Sequence, residues 1–249
     1  AYVDGPEKIR SDLYECAKKR FSTILEELVS ELDLLKLPFS EVHPEPQGRI
    51  ARKMFNAVRG SMAFITPMAA VAGAVAEEIL ETMVNQAKSE VSCLEKIRRM
   101  YVNNGGDISF WLNYGSAFTI GVVDNPQRPE LNTKVCLPYE SPVRGLATSG
   151  WMGRSQSLGI ADAVTVLASS SACADAAATL IANNVNIEHP GIIRKPACDV
   201  KDDSDLGMHP VTVKVPFLPE KEVSRALRNG AESAKALIRK NKIHSAYLS

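Results

Sequence analysis

A carboxylate and a hydroxyl four residues apart, Asp175 and Thr179, stand inside an otherwise small and apolar run over residues 173–183. On a helix, positions i and i+4 share one face, so the two oxygen-bearing side chains lie one above the other. A carboxylate buried among alanines without a partner costs several kcal/mol. A metal ion, a basic side chain or a cluster of backbone N–H groups each answers that need. A capping carboxylate in the first helical turn is the structural alternative. Upstream, residues 163–168 alternate as a short buried strand, and Ser169, Ser170 and Ser171 follow where a helix N-cap is expected.

Three further pieces look unlike ordinary packing. Residues 64–84 open with Thr66 as N-cap and Pro67 at the first helical position, a helix start. Its first turns, from Ala69 through Ala74, have almost no side-chain bulk, so a sheet, a second helix or a flat ligand can approach the backbone. A helix N-terminus also favours an anion such as a phosphate; close packing on a sheet explains the same small residues. Asn103-Asn104-Gly105-Gly106-Asp107 interrupts or opens a strand at 108–112, where a bulge or a near backbone approach is the usual cause. Thr148-Ser149-Gly150 ends a strand over 143–148. Such pieces, at element ends held by a rigid frame, are how ligand sites are often assembled.

The elements that must position them read as follows. Apolar residues at helical spacing predict a helix over 7–35 and another over 50–58, ended by Gly60. Between them lies a proline-rich loop carrying His43, read as a surface residue. Residues 118–122 read as the hairpin partner of 108–112, followed by a loop over 125–129, a strand at 133–137 and a turn at 139–141. A short strand at 192–195 precedes Asp199, Asp202, Asp203 and Asp205, a solvated acidic turn without calcium-loop spacing. A strand at 211–217 and a helix over 219–240, with core stripe Val223, Leu227, Ala231, Ala234 and Ile238, close the chain. There is no βαβ rhythm and no GxGxxG, so the order favours α+β in a single unit spanning 1–249.

Composition narrows the function classes. The 249 residues hold 29 Lys plus Arg against 29 Asp plus Glu, and 45% are apolar. No net field recruits nucleic acid or an anionic membrane. No apolar run reaches membrane-spanning length and no signal peptide opens the sequence, which begins with Ala1, so a cytoplasmic setting is expected. Five cysteines, an odd number without a CxxC pair, predict mostly buried thiols rather than a zinc site or a disulfide framework.

Ala174-Asp175-Ala176-Ala177-Ala178-Thr179 resembles the ADAxAT signature of the ApbE family, the FAD:protein FMN transferases. Val164-Thr165-Val166-Leu167-Ala168 resembles that family's strand entering the motif. Thr148-Ser149-Gly150 resembles its TSG element, Asn104-Gly105-Gly106-Asp107 its NxGG segment, and residues 66–76 occupy the place of its small-residue helix. With the strand counted as part of the ADAxAT motif, all four fall in the family's order between about residues 64 and 184. The resemblance implies a duplicated T-fold-like architecture of two intertwined halves, with the site between them. It implies Mg²⁺ held by Asp175 and Thr179, beside FAD or a related nucleotide. It also implies a ligand cradle from Thr66, Pro67, Ala69, Gly73, Gly105, Gly106, Asp107, Ser149 and Gly150.

Two departures stand against that pattern. Ala72 precedes Gly73 where the family carries a Lys, and the His-x-x-Asp-Pro segment expected after TSG is missing. The resemblance therefore leads to a divergent branch with three readings: Mg-dependent FMN transfer to a protein acceptor, a non-catalytic flavin or nucleotide carrier or sensor, or a structural, partner-binding protein. For transfer, Asp162 or Asp107 are the candidates for a base. Homo-oligomer formation stays open.

Overall fold

A computed structural model describes residues 1–89, 93–123 and 133–249; the loop expected at 125–129 lies outside these. The fold is mixed helix and strand with antiparallel sheets. Its first elements are β1 (Tyr2–Asp4), α1 (Glu7–Val29), α2 (Leu32–Leu35) and α3 (Arg49–Val58). A 3-10 turn (Pro67–Ala70) feeds α4 (Val71–Ser89), and a second (Leu94–Lys96) precedes β2 (Arg99–Asn104). Then come β3 (Asp107–Leu112), β4 (Ala117–Val122), β5 (Thr133–Pro138), β6 (Gly145–Ser149), β7 (Val164–Ala168) and α5 (Ser171–Asn184). The chain continues through β8 (Ile193–Pro196), α6 (Ala197–Val200), β9 (Pro210–Lys214), α7 (Glu220–Arg239) and β10 (Ser245–Leu248).

One six-stranded sheet runs β1-β2-β3-β6-β7-β10, every neighbouring pair antiparallel. Helices α4 and α5 pack on each other and on the sheet, with α1, α3 and α7 outside them. Glycine makes that packing close. A Cβ on Gly73 would lie 2.2 Å from the Ser171 carbonyl oxygen, and one on Gly145 would lie 2.1 Å from the Ser171 nitrogen. The start of α5 is thus wedged between α4 and β6, its N-cap Ser170 accepting the Cys173 amide at 3.2 Å. Ion pairs from Arg20 to Glu78 and from Lys53 to Glu77 and Glu81 tie α1 and α3 to α4. No described helix is long and apolar enough to cross a membrane.

The structure corrects several expectations. Strand β4 pairs with β5, not with β3, whose neighbours are β2 and β6. Local alternation marks a strand but does not choose its partner. Gly105 and Gly106 form a two-residue hairpin turn, both at positive φ (72° and 116°), between the paired residues Asn104 and Asp107. The long first helix stops at Val29. A strand, β10, follows the last helix, and β1 precedes the first. The buried stripe of α7 is Ala226, Gly230 and Ala234, while Val223 and Ile238 are exposed. Gly230 lets that helix close on Val185 and Leu248. His43 is buried against Phe39 and Phe55 instead of facing solvent. Of the cysteines only Cys93 is buried; Cys136 and Cys198 are exposed, because neither lies on a core-facing position.

Candidate functional site

The ends of β2, β3, β6 and β7 meet the start of α4 and the first turns of α5 around a cavity of about 620 Å³. Gly105, Gly106, Asp107, Ser149, Gly150, Asp175 and Thr179 all line it. A smaller cavity of about 240 Å³ adjoins it, sharing Ala72, Asp107, Ser155, Asp175 and Thr179. Thr66 and Ala69 line this second space. Together the two form one cleft with the acid pair at their junction.

Pro67 and Gly73 line neither cavity. Pro67 is buried in the 3-10 turn, and Gly73 is covered by Ser171, whose hydroxyl donates to the Gly73 carbonyl at 2.7 Å. Thr66 makes no side-chain cap; its hydroxyl donates to Asp205 Oδ2 across to the acidic turn. The acidic turn expected to be solvated therefore forms part of the cleft wall, with Lys201, Asp203 and Asp205 lining the smaller cavity.

The need of Asp175 for N–H partners is met by the first turn of α4. Its Oδ2 accepts the Gly73 amide at 2.9 Å, and the Ala72 amide contributes as well. Those helix N-terminal amides are thus taken by an internal carboxylate. The hairpin is tied to the same turn by Asn104 Nδ2, which donates to the Ala72 carbonyl at 3.2 Å. Strand β6 is tied in by the Thr148 amide, which donates to the Asp107 carboxylate.

The electrostatics follow from two carboxylates sharing a poorly solvated space. Burial pushes Asp107 up to about 7, the Thr148 amide working against it. Asp175 is raised well above the usual carboxylate range, by burial first and by the charge of Asp107 second. Asp107 Oδ1 is buried with no hydrogen-bond partner among the described residues. A buried acceptor left unpaired is costly, so this oxygen is a place where a cation or donor is wanted. Among the described residues no group of three or more His, Cys, Asp or Glu side chains gathers as a metal cage. Asp107, Asp175 and the Thr179 hydroxyl are the oxygen-bearing groups there that could hold a cation.

The segment after TSG borders both cavities. Asn183 Oδ1 accepts the Leu158 amide at 2.9 Å and the Ser157 hydroxyl, while Gln156 Oε1 accepts the Ser204 hydroxyl. Arg154 and Ser155 sit just ahead of these anchors and line the larger cavity. Asp162, also on its wall but exposed, accepts the Trp151 indole N–H at 3.0 Å through Oδ1. Sequence reasoning missed Arg154, Lys36 and Lys201. Arg154 carried a signal, a cation set between Gly153 and Ser155 directly after a recognised strand end. The two lysines carried none.

The family model described as AbpE bacteria matches residues 1–249. The UPF0280 protein of Methanobrevibacter smithii is 34% identical over 142 residues, 56% of this chain and 53% of that protein. The UPF0280 protein of Methanosphaerula palustris is 33% identical over 184 residues, 72% of this chain and 70% of that one. For the UPF0280 protein of Methanococcus vannielii the identity is 30% over 188 residues, 73% and 69% of the two chains. Several other matches, like the first, span about half of the relative's length.

Proposed function

Because the chain belongs to the family described as AbpE bacteria, we propose that its cleft binds FAD or a related nucleotide together with Mg²⁺. The chemistry we propose for it is ApbE-type transfer of FMN to a hydroxyl of a protein acceptor. The observation that carries the reading is Asp107 Oδ1, buried and without a hydrogen-bond partner among the described residues, in a cavity shared with Asp175 and Thr179. An all-oxygen donor set of two carboxylates and a hydroxyl suits a hard cation. Mg²⁺ is commonly held by one or two carboxylates plus the phosphates of its ligand, which fits a cleft where, among the described residues, no three acids gather as a metal cage.

Asp107, Asp175 and Thr179 would hold the ion, which when bound supplies charge neutralisation at a pyrophosphate oxygen. The chain's own residues do the rest. Gly105 and Gly106 offer backbone without side-chain bulk, and Ser149 and Gly150 line the same wall. Asp162 keeps its Oδ1 on Trp151, and its second oxygen, without a hydrogen bond among the described residues, is the group we assign to the acceptor's hydroxyl proton. The same reading carries one T-fold-like domain of two intertwined halves and a cytoplasmic setting.

Ala72 favours a second reading, a flavin carrier or sensor without transfer. It lines both cavities where the resembled family has a lysine. The test is FAD binding with and without Mg²⁺, followed by AMP release in the presence of a threonine-bearing acceptor peptide. Mg-dependent binding with AMP release is the outcome expected for transfer. Binding without AMP selects the carrier, and absence of flavin binding removes both.

A further inference from the structure

We propose that Arg154 is the residue through which the cleft selects phosphate-bearing ligands. The proposal rests on the reading of the cleft as a nucleotide site. Three observations carry it.

Among the described residues, Arg154 is the only Lys or Arg lining the larger cavity, whose wall otherwise carries Asp107, Asp162 and Asp175. When ionised, those acids repel an anion unless a cation or metal offsets them. The Arg154 guanidinium makes no hydrogen bond or ion pair among the described residues, although carboxylates share its cavity. Its five N–H groups are therefore free for a ligand.

The backbone that presents it is held. Gly153 turns onto Gly150 through an amide-to-carbonyl bond of 3.1 Å. On the other side, Gln156 donates to the Ala197 carbonyl at 2.9 Å, and Leu158 is bonded to Asn183. The arginine thus springs from a short stretch fixed at both ends, so little backbone has to order when the guanidinium engages a ligand. A planar guanidinium pairs bidentately with phosphate oxygens, which an ammonium cannot do.

The test uses the full chain, Mg²⁺ in excess, and probe pairs that differ in phosphate: FMN against riboflavin, and ADP against adenosine. Wild type is expected to prefer the phosphate-bearing member of each pair. Arg154→Ala is expected to weaken FMN and ADP about tenfold, roughly 1.4 kcal/mol, and to leave riboflavin and adenosine unchanged. Arg154→Lys should recover part of the loss. Because Arg154 is exposed, the melting temperature should not move, so a binding change reports the ligand contact. A solvent-facing arginine with no part in recognition gives equal affinities for wild type and Arg154→Ala, and overturns the proposal. Equal loss for both members of a pair also overturns it. If neither flavin binds, the flavin reading falls and the ADP–adenosine pair alone decides Arg154. A chain that binds none of the four overturns both.

Discussion

Asp175 Oδ2 accepts the Gly73 amide at 2.9 Å, joining α5 to the first turn of α4 where the two cavities meet. The carboxylate is at once a helix cap and part of the cleft wall, and two substitutions separate these roles. Asp175→Ala removes the acceptor and should cost about 1–3 kcal/mol of stability for the unsatisfied amides. Asp175→Asn keeps an acceptor oxygen for those amides and cannot ionise beside Asp107, so it should melt close to wild type. On the Mg²⁺ reading, wild type should melt higher with the ion present, and both variants should lose that rise. A Mg²⁺ shift surviving in Asp175→Asn would exclude this carboxylate as a ligand.

Asp107 sets a pH dependence. Its carboxyl is raised from an ordinary 3.8 to about 7 in the fold. The folded state therefore holds the proton more tightly than the unfolded one. The stabilisation from this group is fully present below 3.8 and is lost as pH rises through about 7. Asp175 shifts in the same direction. In metal-free protein, the melting temperature of wild type relative to Asp107→Asn should fall across that window, and Mg²⁺ should restore it on the alkaline side. Parallel melting curves at each pH, with the difference independent of pH, would count against a shared buried acid pair.

Gly73 and Gly145 both face the start of α5 at distances that leave no room for a methyl group. Gly73→Ala or Gly145→Ala must push α5 away from α4 or β6, an overpacking expected to cost about 1–3 kcal/mol. Urea unfolding should give a lower midpoint at unchanged slope. The same displacement moves Asp175 away from the Gly73 amide, so Mg²⁺ binding should weaken in both variants.

Ala72→Lys introduces an ammonium on the wall that carries Asp107 and Asp175. FMN binding in the absence of Mg²⁺ should strengthen, because the new cation offsets part of the acid pair's charge. If the transfer reading holds, AMP release should also rise. Each 1.4 kcal/mol or so gained in the transition state is worth about tenfold in rate. Unchanged FMN binding without Mg²⁺ would mean that the lysine turns away from the acids.

The parts of the site that were legible lie where small residues and isolated polar groups end a strand or start a helix. Asp107, Ser149, Gly150, Asp175 and Thr179 do line one cavity. Gly73 was misread because a glycine needed for helix packing and one needed for a ligand leave the same trace. It was the structure that brought Ser171 onto it. Lys36, Lys201 and Asp205 reach the cleft through packing between segments distant along the chain, which no local period encodes. Strands β1 and β10 escaped for another reason: with three and four residues, neither offers enough alternation to stand out.

Those two short strands carry a consequence for how the molecule is made. They form opposite edges of the six-stranded sheet and come from opposite ends of the described chain. Strand β7 stays unpaired on one side until Ser245–Leu248 has left the ribosome, and the Ser249 carbonyl then accepts the amides of Asp162 and Ala163 beside the cleft. Pairing of such distant segments is slow relative to local helix formation. An open strand edge during that interval is a template for association with other chains. Nascent chains halted before residue 245 should therefore be held by chaperones in proportion to the time β7 waits. Those released after Leu248 should escape that capture.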